Sequence, residues 1–188
     1  MDAPKELRDA LEVMQGFPAP WCVAGGWAID LYLGTVTRPH KDVDFALFRD
    51  DQDAIHAHFR GWRIRKVVQR QFQDWPPGEW LAPPVHEIHI QSGERSVEFL
   101  LNDRAGEAWV FRRNNMVTRP VKDVMCAGWG GVPILAPAIV LLYKAKDPRR
   151  QDEDDFERVR DALAPEDRRW LKDALECAHP GHPWSRKL

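Results

Sequence analysis

The sequence predicts an α+β chain: a mixed β-sheet flanked by helices, followed by a small C-terminal helical lobe. Three features carry that prediction. The segments 42–48 (DVDFALF), 62–69 (WRIRKVVQ), 85–90 (VHEIHI) and 95–101 (RSVEFLL) are rich in strand formers and largely alternate. Apolar residues at helical spacing recur near the N-terminus and again after Pro137. Between them, Gly25-Gly26 separates a short apolar run from the apolar segment 27–33, an abrupt passage from strand to helix.

Taken in order, a first helix places Leu7, Leu11 and Met14 on one face, with Asp2 as N-cap, Pro4 in the opening turn and Gly16 as the stop. Pro18 and Pro20 turn the chain into the apolar run 21–23. The helix over 27–33 is apolar nearly all round, which implies burial. Its one acid, Asp30, reads as a buried hydrogen-bond acceptor that fixes the following Thr-Arg turn. Beyond the strand that opens at Asp42, a helix capped by Asp50 or Asp51 runs to Gly61, with Ile55 and Phe59 inward and His56 and His58 on the surface. The strand 62–69 leads into an aromatic, proline-rich loop, 71–84, with one short strand at 79–82 overhanging a cleft. Ser92-Gly93-Glu94 turns the chain from 85–90 into 95–101. Short outer strands at 109–113 and 116–119 flank the Asn114-Asn115 turn. The GWGG segment at 128–131 marks the way out of the sheet. Three helices follow: one opened by Pro137, one over 152–163 and one over 165–178.

Composition narrows the class. In 188 residues, 30% are charged and 44% hydrophobic, ordinary for a soluble globular protein. A formal net charge of −2 supplies no basic field for a long polynucleotide. No apolar run reaches membrane-spanning length and the N-terminus is no signal peptide. Cys22, Cys126 and Cys177 are widely spaced, as free thiols of a reducing, cytoplasmic compartment would be. VHEIHI is no zinc-protease helix, because His86 and His89 are three apart and the segment alternates as a strand, which leaves Glu87 and His89 on a common face.

The chemistry concentrates in 23–48. Asp42 and Asp44, two apart on a strand, share a face, and two carboxylates side by side repel unless a cation lies between them. Oxygen-only ligands suit Mg²⁺. An Asp-x-Asp at a strand start is by itself more often only a solvated edge or a turn. The preceding Gly-Gly shifts the balance, because glycines at a helix mouth let backbone N–H groups approach an anion. A nucleoside triphosphate with Mg²⁺ satisfies both features. Glu98, centred in an apolar strand, is costly to bury unless paired, with Arg65 for instance, or bound to metal. Arg38 and His40 lie nearest in sequence as phosphate contacts. Lys144 and Lys146, with Arg149 and Arg150, precede an acidic run, 152–155. They form either a solvated helix end or a clamp over a triphosphate.

Gly25-Gly26-Trp27-Ala28-Ile29-Asp30, then Gly34, Thr37-Arg38, His40, Asp42 and Asp44, resemble the signature of the nucleotidyltransferase superfamily, with its polymerase-beta-like fold. Within it the motif is most similar to the aminoglycoside adenylyltransferases and lincosamide nucleotidyltransferases. The likeness is dense over 25–44 and thin afterwards. Many relatives carry Gly-Ser where this chain has Gly25-Gly26, so the serine hydroxyl they offer the phosphates is missing, as it is in the antibiotic-modifying branch.

The resemblance implies a nucleotidyltransferase catalytic domain at 1–132 and a C-terminal helical lobe at 133–188. It implies two Mg²⁺ ions on Asp42, Asp44 and a third carboxylate from a later strand, Glu98 with Glu87 as fallback. Gly25, Gly26, Trp27, Arg38, His40, Lys144 and Lys146 would surround the phosphates. The expected reaction moves AMP from ATP, or another nucleoside monophosphate from its triphosphate, to a hydroxyl of a small molecule and releases pyrophosphate. An aminoglycoside or lincosamide is the implied acceptor, and for a polycation the acids at 152–155 and Glu79 would line the pocket. The partners are then the nucleotide and the acceptor, with no membrane or nucleic acid, on a monomer or weak homodimer. Two other readings stay open. One is transfer to RNA or protein, as in toxin–antitoxin systems, which the net acidity and short lobe weigh against. The other is an inactive nucleotide-binding module of the same fold, which the three carboxylates weigh against.

Overall fold

A computed structural model describes residues 4–188, so the N-cap expected at Asp2 lies outside the described residues. Helix α1 (Lys5–Val13) precedes β1 (Cys22–Val23), α2 (Gly25–Leu33) and β2 (Asp44–Phe48). A 3₁₀ turn, Arg49–Asp51, leads into α3 (Asp53–His58), followed by β3 (Arg63–Val68), β4 (Gln71–Asp74), β5 (Glu87–Ser92) and β6 (Arg95–Ala105). Then come β7 (Ala108–Val110), β8 (Thr118–Pro120), β9 (Met125–Ala127) and β10 (Pro133–Leu135). Helices α4 (Pro137–Lys144), α5 (Arg150–Val159) and α6 (Pro165–Ala178) close the chain. The sheet is mixed, in the order β4-β3-β5-β6-β2-β1-β10-β9, and β7 and β8 form a ribbon that continues from β6.

The alternation along β2 and β6 decides what each face carries. Phe45 and Phe99, paired in register, turn into the core, where Phe99 meets Phe17 and Phe59 at 5.6 and 5.8 Å. Full burial of aromatic side chains of this size contributes roughly 1.5–3 kcal/mol each. Asp44, Ala46, Glu98 and Leu100 are thereby sent to the opposite face. One continuous apolar cluster joins α1 through the sheet to Leu171 and Leu175 of α6. Among the described residues no helix is long and apolar enough to cross a membrane.

Four sequence expectations need correction. The strand expected at 79–82 is absent, and β4 forms instead at 71–74, across a two-residue turn whose Gln69 and Arg70 take φ 51° and 65°. Such turns usually advertise themselves as Asn-Gly, so Gln-Arg hides this one. The loop after β4 does not hang free over a cleft. Gln52 receives a hydrogen bond from the Leu81 amide (2.7 Å), and Arg49 donates to the Leu81 and Val85 carbonyls (2.9 and 2.6 Å), which staples it to the start of α3. His56 and His58 are half-buried: His56 packs on Trp75, while His58 Nε2 lies 2.7 Å from the Val13 carbonyl and meets Phe17. Finally, GWGG lies within the sheet, joining β9 to β10, and β10 pairs in parallel with β1.

Candidate active site

Parallel pairing of β2 with β6 sets Asp44 opposite Glu98, and antiparallel pairing of β6 with β5 sets Glu98 opposite His89. The three side chains form a row on one face. Asp42 falls two residues before the ordered strand, which starts at Asp44 and not at 42, and its side chain is exposed. His89 Nδ1 lies 3.0 Å from Glu98 Oε1, and His89 Nε2 lies 2.7 Å from Glu87 Oε1. Glu98 therefore leans on His89, while Arg65 covers the ring of Phe72 instead. Burial pushes Asp44 up to about 6, Asp42 adds to the rise and Lys144 opposes it. Burial likewise lifts Glu98 to about 8, reinforced by the charges of Asp44, Asp42 and Glu87. A site so short of positive charge favours a bound cation, and its carboxylate oxygens suit Mg²⁺.

The two glycines fit beside this row because they lack side chains. The Ala24 amide donates to the Asp44 carbonyl (2.8 Å), which fixes the mouth of α2 against β2. Gly25, at φ +61°, lies so close to Asp44 that a Cβ would overlap the carboxylate. A Cβ on Gly26 would reach 2.6 Å from the His40 ring and strike Arg38. The first helical bond of α2 comes from Ala28, and no side chain caps the helix, so the amides of Gly25, Gly26 and Trp27 remain at its positive end.

Asp30 behaves as its sequence suggests. It accepts from the Thr37 amide (3.0 Å) and hydroxyl (2.6 Å) and lies 2.7 Å from His40 Nε2. Burial would raise its carboxyl, but the bonds from His40 and Thr37 outweigh burial and hold it below its usual range. His40 is consequently a lining residue. Its side chain is 4% exposed, its ring lies tilted against Trp27 with centroids 4.3 Å apart, and it contacts Arg38 Nη1 at 3.0 Å.

Arg38 pairs with Asp155 (3.1 Å), Lys144 with Asp152 and Asp155 (2.5 and 3.0 Å), and Arg149 with Asp152 (2.9 Å). This corrects the acidic pocket expected at 152–155. Asp152 and Asp155 are buried and neutralised by those cations, and Glu79 is taken by Lys66. The acids left facing the site are Asp42, Asp44, Glu87 and Glu98.

A cavity of about 390 Å³ opens beside the row, with Gly25, Ala46 and Leu100 at its floor and Tyr143 and Lys144 in its wall. Lys146, expected near the phosphates, lies exposed at its lip, and Arg112, Arg113 and Asn102 complete the far end. Sequence reasoning missed these last three. Arg112 and Arg113, expected within an outer strand at 109–113, lie beyond it: that strand ends at Val110, and the β6–β7 pairing brings the two arginines here.

The fold has relatives among solved structures. The solution structure of the antibiotic-resistance factor ANT(2'')-Ia matches with TM-score 0.58 and 19% identity over 90% of this chain and 89% of that one. The crystal structure of ANT(2'')-Ia in complex with adenylyl-2''-tobramycin gives 0.57 and 18%, over 90% and 94%. The lincomycin-bound lincosamide antibiotic adenylyltransferase LnuA gives 0.56 and 15%, over 92% and 98%. These likenesses establish the nucleotidyltransferase fold. A sequence comparison with the curated proteins gives no match. The family model described as aminoglycoside-2''-adenylyltransferase matches residues 6–159, a stretch that holds both glycines, the Thr-Arg-x-His turn and all the carboxylates of the row. The chain belongs to the aminoglycoside-2''-adenylyltransferase family, a family of nucleotidyltransferases.

Proposed function

We propose that the chain transfers a nucleoside monophosphate, AMP when ATP is the co-substrate, to a hydroxyl of an aminoglycoside- or lincosamide-type antibiotic and releases pyrophosphate. One observation carries the reading: Asp44 and Glu98 stand side by side, with the glycine-lined mouth of α2 directly against them. Asp42, Asp44 and Glu98 would hold Mg²⁺, two ions in this reading. When bound there, Mg²⁺ would neutralise the charge that develops on the phosphates in the transfer. The amides of Gly25, Gly26 and Trp27 hold the phosphate tail, with Lys144, Lys146 and Arg38 beside it. His40 acts from behind, by orienting Arg38. Glu98, the carboxylate beside Asp44 at the mouth of α2, takes the proton of the acceptor hydroxyl. The net negative charge of the row, with Glu87 at its end beside His89, attracts a cationic acceptor. The test is pyrophosphate release from ATP and Mg²⁺ with a panel of aminoglycosides and lincosamides. Release with at least one of them is expected, and none with any would remove the antibiotic as acceptor.

A further inference from the structure

Among the described histidines, His89 alone has both ring nitrogens against carboxylate oxygens, Nδ1 at 3.0 Å from Glu98 Oε1 and Nε2 at 2.7 Å from Glu87 Oε1. The ring is half-buried, and Phe72 meets it in a T-shaped contact with centroids 4.7 Å apart. Arg65, the neighbour of His89 across β3, is spent on the face of Phe72. Among the described residues no lysine or arginine comes within ion-pair distance of Asp44, Glu87 or Glu98, so the imidazole is the one basic group touching these acids.

One positive charge is missing from that arrangement. Ionised carboxylates only accept, and a neutral imidazole carries a single N–H. The shorter contact, at Nε2, places that hydrogen toward Glu87. Nδ1 then turns a lone pair to an oxygen of Glu98, and two lone pairs repel unless a cation lies between them. In the metal-free chain a proton fills the gap; a metal ion takes the same lone pairs and brings two charges. A histidine that ligates a metal characteristically donates its other N–H to a carboxylate, which fixes the tautomer and aims the ligating nitrogen. Glu87 stands in that position. The spacing agrees, since two donors each about 2.1 Å from one ion and at right angles stand about 3.0 Å apart. Register supplies the third donor: Asp44, Glu98 and His89 follow one another across β2, β6 and β5 on one face.

We propose that His89 Nδ1 is a nitrogen ligand of the metal centre, that with Asp44 and Glu98 it completes a set of two carboxylates and one imidazole, and that Glu87 orients it. The inference rests on reading the carboxylate row as the metal site, and it adds a ligand and a metal class to that reading. Sets made of oxygen alone suit Mg²⁺, whereas imidazole draws in first-row transition ions. Mn²⁺ is the one of these that also suits carboxylates, so a mixed set of this kind favours it over Mg²⁺. Mg²⁺ keeps several of its waters and gains little from a nitrogen donor.

The test is pulsed electron paramagnetic resonance of Mn²⁺ on the full chain, alone and with inorganic tripolyphosphate, which brings no nitrogen of its own. Calorimetry with Mn²⁺ and with Mg²⁺ accompanies it. Both are repeated on His89→Ala, Glu87→Ala and, as a control, His86→Ala, with far-UV circular dichroism to confirm that each variant folds. The wild type should show the nitrogen modulation of a directly bound imidazole. His89→Ala should lose it and bind Mn²⁺ at least about tenfold more weakly, while Mg²⁺ shifts less than about threefold. Glu87→Ala should keep the modulation and weaken Mn²⁺ about tenfold. His86→Ala should change neither. Bound Mn²⁺ without nitrogen modulation in the wild type would overturn the inference and leave the carboxylate site standing, with His89 only a hydrogen-bonding partner of the acids. Equal losses of the two metals in His89→Ala would overturn it as well. Should the chain bind neither ion, with or without tripolyphosphate, the metal reading of the row itself fails and this ligand with it.

Discussion

Asp44 and Glu98 are direct partners across the parallel β2–β6 pairing, and both carboxyls hold their protons well above the usual range. Burial is the first cause for each; Asp42 then acts on Asp44, and Asp44 on Glu98. The two titrate as a coupled set.

The first prediction follows from the sign of those shifts. Both folded values lie above the ordinary 3.8 and 4.5, so the folded chain binds these protons more readily than the unfolded one. Their stabilisation is complete below about pH 4 and is lost as pH rises through 6 and then 8. Metal-free protein should therefore melt at progressively lower temperature from pH 5 to pH 9. Glu98→Gln removes the later loss and should stabilise the metal-free fold at pH 9 by about 1–2 kcal/mol, less than the ~1.4 kcal/mol per pKa unit would give, because water reaches part of the side chain. The same change should lower transfer on the order of 10³-fold. Thermal melts with EDTA across the pH range check the first part, and a variant no more stable than wild type at pH 9 would contradict it.

Gly25→Ala tests the close approach of α2 to β2. The new methyl meets the Asp44 carboxylate, and the backbone holds φ +61°, where L-residues are strained. A cost of about 1–3 kcal/mol in stability is expected, with loss of Mg²⁺-dependent nucleotide binding because Asp44 must swing away. Gly34→Ala is the control: it shares a positive φ but has open space around it, so it should pay the strain and keep binding. Calorimetry of both variants with Mg²⁺ and an ATP analogue separates strain from displacement.

How much of this was legible in the sequence depends on how local each feature is. Period-2 alternation gave β3, β5 and most of β6, and the Gly-Gly and Asp-x-Asp spacing located the site, because each depends on neighbours a few positions apart. The pairing of Asp44 with Glu98 was only an expectation. Register across residues 54 apart is fixed by packing of Phe45 on Phe99, and no short motif records it. The role of 152–155 was misjudged for a related reason. An acidic run looks solvated until Arg38, Lys144 and Arg149 are brought over it by the packing of α4, α5 and the turn after α2. Arg112 was invisible for want of any local signal.

Asp30→Ala should destabilise without touching the phosphate seat directly. The change removes the acceptor for two Thr37 bonds and the partner of His40, leaving buried donors unsatisfied. A loss of about 3 kcal/mol is expected from urea unfolding. Thr37→Val removes only the hydroxyl bond and should cost about 1 kcal/mol. Equal losses for the two would mean that His40 gains nothing from Asp30.

Lys144 joins structure to chemistry, and the two can be separated. Its Nζ bridges Asp152 on α5 and Asp155, one turn further along the same helix. Burial alone would raise the Asp152 carboxyl, yet hydrogen bonds from Arg149 and Lys144 hold it at about 2. A depressed value contributes stability that is present above the ordinary 3.8 and lost only as pH falls through about 2. Lys144→Met should therefore cost about 1–2 kcal/mol at pH 7, where Asp152 and Asp155 keep only Arg149 and Arg38 as partners, and clearly less at pH 3.5, where Asp152 can protonate. Adding Asp152→Asn to Lys144→Met should recover most of the stability at pH 7 by removing the carboxylate that lost its lysine partner. If Lys144 also contacts the phosphate tail, that double variant will be stable and still bind Mg²⁺-ATP analogue at least tenfold more weakly than wild type. If binding returns with stability, Lys144 is a clamp between α4 and α5 and nothing more.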